Sequence, residues 1–352
     1  MSFWKNFFKW LYGSGNSNPT PTPTPEPEPP LPLDLQPKYY GVNVQGVFRS
    51  RLHETQDVQT IVDRVADVAN RADAGSLRIP GGKPSHGFWI VGDGYGESAF
   101  AGFPAVDNPA VPYGEPNYFM LSLLVAAKLD IPVWITLHTF MNKEDIRSVL
   151  LMTKNEGVQI QGVSISNEPY APEYVKANLV EQEVANYPQM IQWLRELGYD
   201  GYIGVPILVG LNDPGREERA QWYNNLVLAA IPKADFHDPN KKLCLDIHPY
   251  FAPDDFSQFS PADYFDWFME QVDEVYGEGT KLVITEWAKK NQHAFTEEVC
   301  SRVIDEYITK WAESYDDRIV ATHYQVLGGI RTQGLYDFES ETFNDRIDAF
   351  NP

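Results

Sequence analysis

Two stretches decide the fold: Gly162-Val163-Ser164-Ile165-Ser166-Asn167-Glu168-Pro169-Tyr170 and Lys281-Leu282-Val283-Ile284-Thr285-Glu286-Trp287-Ala288. Each reads as a short apolar strand that stops on a carboxylate. Outward from them, from Tyr39 onward, the chain alternates short apolar runs with helical patterns. The runs are Tyr39–Val44, Ser76–Ile79, Pro132–Leu137, Gly162–Ile165, Tyr202–Ile207, Leu243–Ile247, Leu282–Ile284 and Ile319–Tyr324. Helical periodicity fills Val58–Ala69, Tyr118–Lys128, Lys143–Lys154, Tyr187–Leu197, Glu217–Ala230, Ala262–Tyr276 and Glu297–Ser314. Eight strands alternating with helices predict an α/β chain folded as one TIM-type (β/α)8 barrel over residues 38–352.

In that count Glu168 closes the fourth strand and Glu286 the seventh, on roughly opposite sides of the barrel mouth. The C-terminal strand ends are where such barrels build their sites. Two carboxylates facing one another about 5–5.5 Å apart are what a retaining glycosidase requires. One, its pKa raised by its partner's charge, protonates the leaving oxygen, and the other attacks the anomeric carbon.

Composition narrows the alternatives. The chain has 352 residues, 43% of them hydrophobic, enough for a substantial core. A formal net charge of -21 repels nucleic acid backbones and gives no help at an anionic membrane, while a neutral glycan meets no such penalty. Aromatic residues make up 13%, with nine Trp and 19 Tyr, and aromatic rings are what flat sugar faces stack on. Cys244 and Cys300 form no metal-type pair and read as buried free thiols. The seven His show no HExxH-like spacing, and there is no GxSxG elbow or P-loop, so neither a catalytic metal nor a cofactor is expected. Gly92-Asp93-Gly94-Tyr95-Gly96 is not framed by a strand and a helix, which removes a dinucleotide reading.

Before the barrel, residues 1–18 set Phe3, Trp4, Phe7, Phe8 and Leu11 on one helical face, with Lys5, Asn6 and Lys9 away from it. The segment is too short to span a bilayer and shows no evident signal-peptide cleavage site. Residues 19–37 follow, with a Pro-alternating tract from Pro19 to Pro32 that favours an extended, semi-rigid spacer. An amphipathic aromatic and basic helix on a stiff tether is expected to anchor the barrel to a lipid surface or a partner protein, at an extracellular or surface-tethered address.

The residues from 39 to 330 resemble the large clan of retaining glycosidases that carry two catalytic glutamates on strands four and seven. The Asn167-Glu168 pair and the Thr285-Glu286-Trp287 strand end carry the resemblance. It implies that Glu168 is the general acid/base, that Glu286 is the nucleophile, and that Asn167 hydrogen-bonds the sugar 2-hydroxyl. Leu77-Arg78-Ile79-Pro80 is similar to the clan's Arg-bearing second strand, whose guanidinium holds the nucleophile ionised and in place through its planar fork. His248-Pro249-Tyr250 resembles an element whose His lines the subsite and whose Tyr bonds the nucleophile. His138 matches a sugar-contacting His of some members, although a structural role fits it equally.

Many members end strand eight with a Trp. This chain has His323-Tyr324-Gln325 there, leaving Trp287, with Tyr324, to floor the subsite. Residues Lys83 to Glu115, rich in Gly and aromatics including Trp89, read as a long loop walling the cleft. Pro80-Gly81-Gly82 is similar to arabinofuranosidase-like branches, and Arg-Ile-Pro with His-x-Tyr to the cellulase-mannanase branch, so the branch stays open, as does endo versus exo action. The expected substrate is a polysaccharide or oligosaccharide, with β-linkage implied by the resemblance. A tethered binding or assembly protein on an inactive barrel, and a transglycosylase using the same site, are the competing readings.

Overall fold

The computed structural model describes residues 41–44, 57–80, 88–89, 99–100, 118–208, 216–251, 261–289, 314–324, 336–337 and 342–343. The expected anchor (1–18), the linker (19–37), Cys300 and nearly all of the helix expected over Glu297–Ser314 lie outside the described residues. By contacts the chain divides into Met1–Gln36 and Pro37–Pro352, and every described residue belongs to the second unit.

Eight strands form the barrel: β1 (Gly41–Asn43), β2 (Ser76–Ile79), β3 (Val133–Thr136), β4 (Ile160–Ser164), β5 (Tyr202–Pro206), β6 (Leu243–Ile247), β7 (Leu282–Lys289) and β8 (Ile319–Tyr324). Each pairs in parallel with the next, and β8 returns to β1 through Gly41↔His323 and Val42↔Tyr324. The closed ring leaves none of these strands as a free edge. Helices follow the strands: α1 (Val58–Arg71), α2 (Tyr118–Leu129), α3 (Lys143–Asn155), then α4 (Pro172–Lys176), α5 (Val180–Ala185) and α6 (Tyr187–Glu196) after β4, α7 (Arg216–Ala230) and α8 (Pro261–Tyr276).

The apolar runs become strands because both of their faces are covered. All five residues of β6, Leu243-Cys244-Leu245-Asp246-Ile247, are buried, as expected for parallel strands with helices outside and a packed interior. Helix α1 meets the sheet with Ile61, Val62, Val65, Ala66, Val68 and Ala69. Its first turn is closed by Asp57, whose carboxylate accepts from the Thr60 amide at 3.0 Å. Helix α3 starts on a reciprocal box between Asn142 and Asp145.

Inside the ring, Trp134 packs with Cys244, Val283 and Ala321, which belong to β3, β6, β7 and β8 and so meet across the barrel interior. The deciding stretch begins with glycine for that reason: a Cβ on Gly162 would stand 2.1 Å from the Trp134 ring. Trp134 Nε1 in turn donates to Ser164 Oγ at 2.7 Å, which joins the apolar interior to the polar side chains at the barrel's C-terminal end.

Three features go beyond the sequence expectations. The segment read as a long loop contains an antiparallel pair, Phe88–Trp89 with Ala99–Phe100, whose aromatic residues favour strand backbone. Strand β7 continues to Lys289 because its end finds a partner in Tyr250–Phe251, with Ala288↔Tyr250 in register. Two short helices, α4 and α5, precede the expected one, and α5 carries a buried carboxylate, Glu183.

Candidate active site

The site is assembled from side chains at the C-terminal ends of six strands. Arg78, with no exposed surface, sits at its centre. Its Nη1 donates to Glu286 Oε1 at 2.5 Å and to Asn43 Oδ1 at 3.3 Å, its Nη2 to Asn167 Oδ1 at 2.5 Å, and its Nε to Thr136 Oγ1 at 3.1 Å. A charge this deep is tolerable only when paired and fully hydrogen-bonded, and β1, β3, β7 and the segment just after β4 each supply an acceptor. Binding Asn167 through Oδ1 fixes the sense of its amide, with the NH2 group on the side away from the guanidinium. Asn43 is held in turn by donating from Nδ2 to the carbonyls of Thr285 (2.9 Å) and Tyr324 (3.3 Å).

Glu286 lies at an irregularity. Between Ile284↔Thr322 and Trp287↔Tyr324 the register of β7 against β8 shifts by a residue, a bulge of the kind that re-aims side chains beside active sites. As a result consecutive residues both serve the site. Thr285 is hydrogen-bonded toward β6, its hydroxyl donating to Asp246 Oδ1, while Glu286 reaches Arg78.

Glu168 stands just beyond β4 with φ at +43°, a left-handed conformation uncommon for a residue with a side chain. That backbone costs of order 1–3 kcal/mol and persists only where the surroundings enforce it. Here the turn is locked by the Ala171 amide donating to the Glu168 carbonyl at 2.7 Å, and the side chain is held by His248, whose Nδ1 lies 2.8 Å from Glu168 Oε1. The same Nδ1 is 3.9 Å from Glu286 Oε2, so one imidazole edge faces both carboxylates. Glu168, His248 and Glu286 each offer an atom within 4.8 Å of the others. Three such donors are also a metal-ligand spacing, but the Arg78 guanidinium already holds Glu286 through its Oε1. A cation there would meet a fixed positive charge.

The electrostatics follow from burial and these pairs. Burial alone would pull the His248 imidazole down. The Glu286 charge and the hydrogen bond and charge of Glu168 outweigh it and hold His248 above the ordinary histidine value. His323 goes the other way, pushed down to about 3 by burial and by the Arg78 charge, with its Nε2 3.1 Å from Ser76 Oγ. Burial raises Asp246 above the ordinary carboxylate range, opposed by His248, Arg78 and the hydroxyls of Ser164 and Thr285.

Of the residues predicted from sequence, Arg78, Asn167, Glu168, His248 and Glu286 converge on one point. His138 is buried, its Nδ1 accepting from the Phe140 amide at 3.2 Å and its Nε2 3.4 Å from the Tyr174 hydroxyl, so both ring nitrogens bind the protein. Trp287 and Tyr324 are buried edge to face, with centroids 5.0 Å apart. The backbones of Trp89 and Tyr250 lie in the short strands given above, and their side chains are outside the described residues. Sequence reasoning missed Asp246, Asn43 and Glu183. Asp246 left a signal, a lone acidic residue inside the apolar run Leu243–Ile247, whereas Asn43 and Glu183 left none.

The sequence profile of the family described as Cellulase (glycosyl hydrolase family 5) matches residues 159–325, just under half of the chain and the part that holds both carboxylates. No curated protein sequence matches. Among solved structures, the α-L-arabinofuranosidase of Thermotoga maritima in its arabinose complex superposes with a TM-score of 0.59 at 15% identity, over 90% of this chain and 69% of that one. The family 51 α-L-arabinofuranosidases of Thermotoga petrophila (TM-score 0.57, 12% identity, 90% and 69%) and Bifidobacterium longum (0.56, 13%, 90% and 72%) are similar. At such identities these superpositions speak for the barrel alone. The chain is a glycoside hydrolase on a TIM barrel, similar to the clan whose two carboxylates close strands four and seven.

Proposed function

We propose that the chain is a retaining glycoside hydrolase that cleaves β-linked polysaccharide by double displacement, with Glu286 as nucleophile and Glu168 as general acid/base. The observation that carries this reading is the approach of the Glu168 and Glu286 carboxylates, with His248, to within 4.8 Å. Inverting enzymes keep their carboxyl groups about 6.5–9.5 Å apart to admit a water, and retaining ones about 5–5.5 Å. The partners support the division of roles. Glu286 is held by the permanent cation of Arg78, which positions its carboxylate for attack, while Glu168 pairs with an imidazole that can exchange a proton. In the first half-reaction Glu286 bonds to the anomeric carbon as Glu168 protonates the departing oxygen. In the second, Glu168 takes a proton from water as that water releases the sugar from Glu286. Asn167, its amide orientation set by Arg78, is assigned to the 2-hydroxyl, and Trp287, Tyr324, His138, Tyr250 and Trp89 to the walls of the sugar site.

The test is reducing-sugar release from a panel of β-glucans, mannans, xylans and arabinans by wild type, Glu286→Ala and Glu168→Ala. Release that vanishes in the first variant and falls strongly in the second is expected; full activity in both variants contradicts the assignment. Residues 1–18 are assigned an anchoring role on a lipid surface. Vesicles of mixed neutral and anionic lipid should pellet the full chain and leave a chain lacking residues 1–18 in the supernatant, and equal pelleting of both removes that role.

A further inference from the structure

A continuous line of hydrogen bonds runs from the barrel interior to the acid/base glutamate. Trp134 Nε1 donates to Ser164 Oγ at 2.7 Å, and Ser164 Oγ donates to Asp246 Oδ2 at 2.5 Å. The other oxygen of Asp246 accepts from Thr285 Oγ1, which lies 2.7 Å from His248 Nε2, and His248 Nδ1 lies 2.8 Å from Glu168 Oε1. Every link except the end at Glu168 is nearly or fully buried, and the Glu168 side chain retains 27% exposure. Asp246 does not touch the carboxylate pair, and nothing in the double displacement requires an acid at its position.

Counting protons along the line fixes their places. The indole has one proton and gives it to Ser164, so the Ser164 proton goes to Asp246. The carboxylate of Asp246 has none to give and takes the Thr285 proton as well. Thr285 Oγ1 can then meet His248 only as an acceptor, which places an imidazole proton on Nε2. What remains is a contact between Nδ1 and Oε1 that needs one proton to be a hydrogen bond. We propose that Asp246 and Thr285 are positioning residues for the acid/base: by keeping a proton on His248 Nε2 they make Nδ1 and Glu168 hold one proton in common, and this shared proton is the one delivered to the leaving oxygen.

The inference rests on the acid/base role given to Glu168 above and adds where its proton is kept. On the first half-reaction the couple passes one proton to the glycosidic oxygen as the C–O bond breaks. It is left as a neutral imidazole with its proton on Nε2 and a carboxylate. When water attacks the glycosyl-enzyme, Glu168 takes a proton from it and the couple is restored. Among the described residues, the charged groups facing the imidazole bear on this proton: Asp246 3.8 Å from Nε2, Glu286 3.9 Å from Nδ1, Glu168 at 2.8 Å, and the Arg78 charge. Asp246, Glu286 and Glu168 favour keeping the proton, and Arg78 opposes it.

The test reads the imidazole directly and needs no turnover. The full chain is labelled with 15N-histidine and followed by long-range 1H–15N correlation, with His248 assigned by its loss in His248→Gln. Wild type at about pH 8 is expected to show Nε2 protonated. Thr285→Val and Asp246→Asn remove the carboxylate-directed acceptor and shift the imidazole proton toward Nδ1, while Thr285→Ser keeps the wild-type pattern. In rate measurements Asp246→Asn and Thr285→Val should lower kcat more than KM, and move the basic limb of the pH profile down by about one pH unit. An unchanged tautomer in both Thr285→Val and Asp246→Asn overturns the proposal, as does a uniform loss of rate with the basic limb unmoved. Should Glu168→Gln keep full turnover, the acid/base assignment fails instead, a result distinct from either of these. The Thr285 pair supplies the answer if Asp246→Asn does not fold.

Discussion

The two halves of the site use the same residue type and surround it differently. On the β7 side Glu286 sits within a strand, 3% exposed in its side chain, and is held by a guanidinium that cannot lose its charge. On the β4 side Glu168 sits past the strand end on left-handed backbone, 27% exposed, and is held by an imidazole that can. A carboxylate paired with a fixed cation is suited to stay an anion, and one paired with a titratable base is suited to exchange protons with substrate and solvent. The contrast lies in the partners, since the two glutamates bring identical chemistry.

The sharpest break in this contrast is Glu286→Ala, which removes the proposed nucleophile and should lower kcat by a factor on the order of 10⁵ with every leaving group, measured as initial rates on aryl glycosides. Glu168→Ala should cost about 10²–10⁴ on natural glycosides, the usual worth of general acid catalysis, and far less when the leaving group is a dinitrophenolate that needs no proton. Equal losses across leaving groups would erase the distinction between the two halves. Next comes Arg78→Lys, which keeps the charge and loses the fork that joins Glu286, Asn167, Thr136 and Asn43. A fall of about 10²-fold in kcat/KM is expected, because a point ammonium cannot satisfy those acceptors together.

The smallest expected effect is on stability and lies behind the Glu168 side. Glu183 on α5 is buried and accepts from the Ser166 hydroxyl, two residues before Glu168. Burial pushes its carboxyl up to about 7, against the pull of that hydrogen bond. A raised folded-state value means that the folded chain binds the proton more tightly between the ordinary carboxylate pKa and about 7. Stability is therefore full below that window and declines as pH rises through it. Glu183→Gln, which resembles the protonated acid, should match wild type near pH 4.5 and exceed it above pH 7 by on the order of 3 kcal/mol in urea unfolding. A constant difference across pH would refute the burial account of Glu183.

Much of the barrel was legible because its signals are local. Eight apolar runs, such as Ser76–Ile79 and Leu243–Ile247, mark the strands almost to the residue, and the two strand-end glutamates point to the mouth. What stayed hidden depends on register or distant contact. The extension of β7 past Ile284 exists because Tyr250–Phe251 comes alongside, and the bulge at Thr285–Glu286 exists because β8 shifts against it. Asn43 looks like any polar residue in a strand until its amide is seen holding the Thr285 and Tyr324 carbonyls. Glu183 falls in Val180-Glu181-Gln182-Glu183-Val184, where nothing separates the buried glutamate from its exposed neighbour Glu181. His138 carried two readings in the sequence, and its contacts with the Phe140 amide and the Tyr174 hydroxyl are visible only in the structure.

The central claim, that the two glutamates play unlike parts in one double displacement, is tested most directly by azide rescue of the two alanine variants on an activated aryl glycoside of the sugar that wild type releases. In Glu286→Ala azide should enter from the vacated face and give the glycosyl azide of inverted configuration. In Glu168→Ala it should attack the glycosyl-enzyme and give the retained configuration. The opposite pairing of configurations would exchange the two roles, and the same configuration from both variants would contradict the double displacement itself.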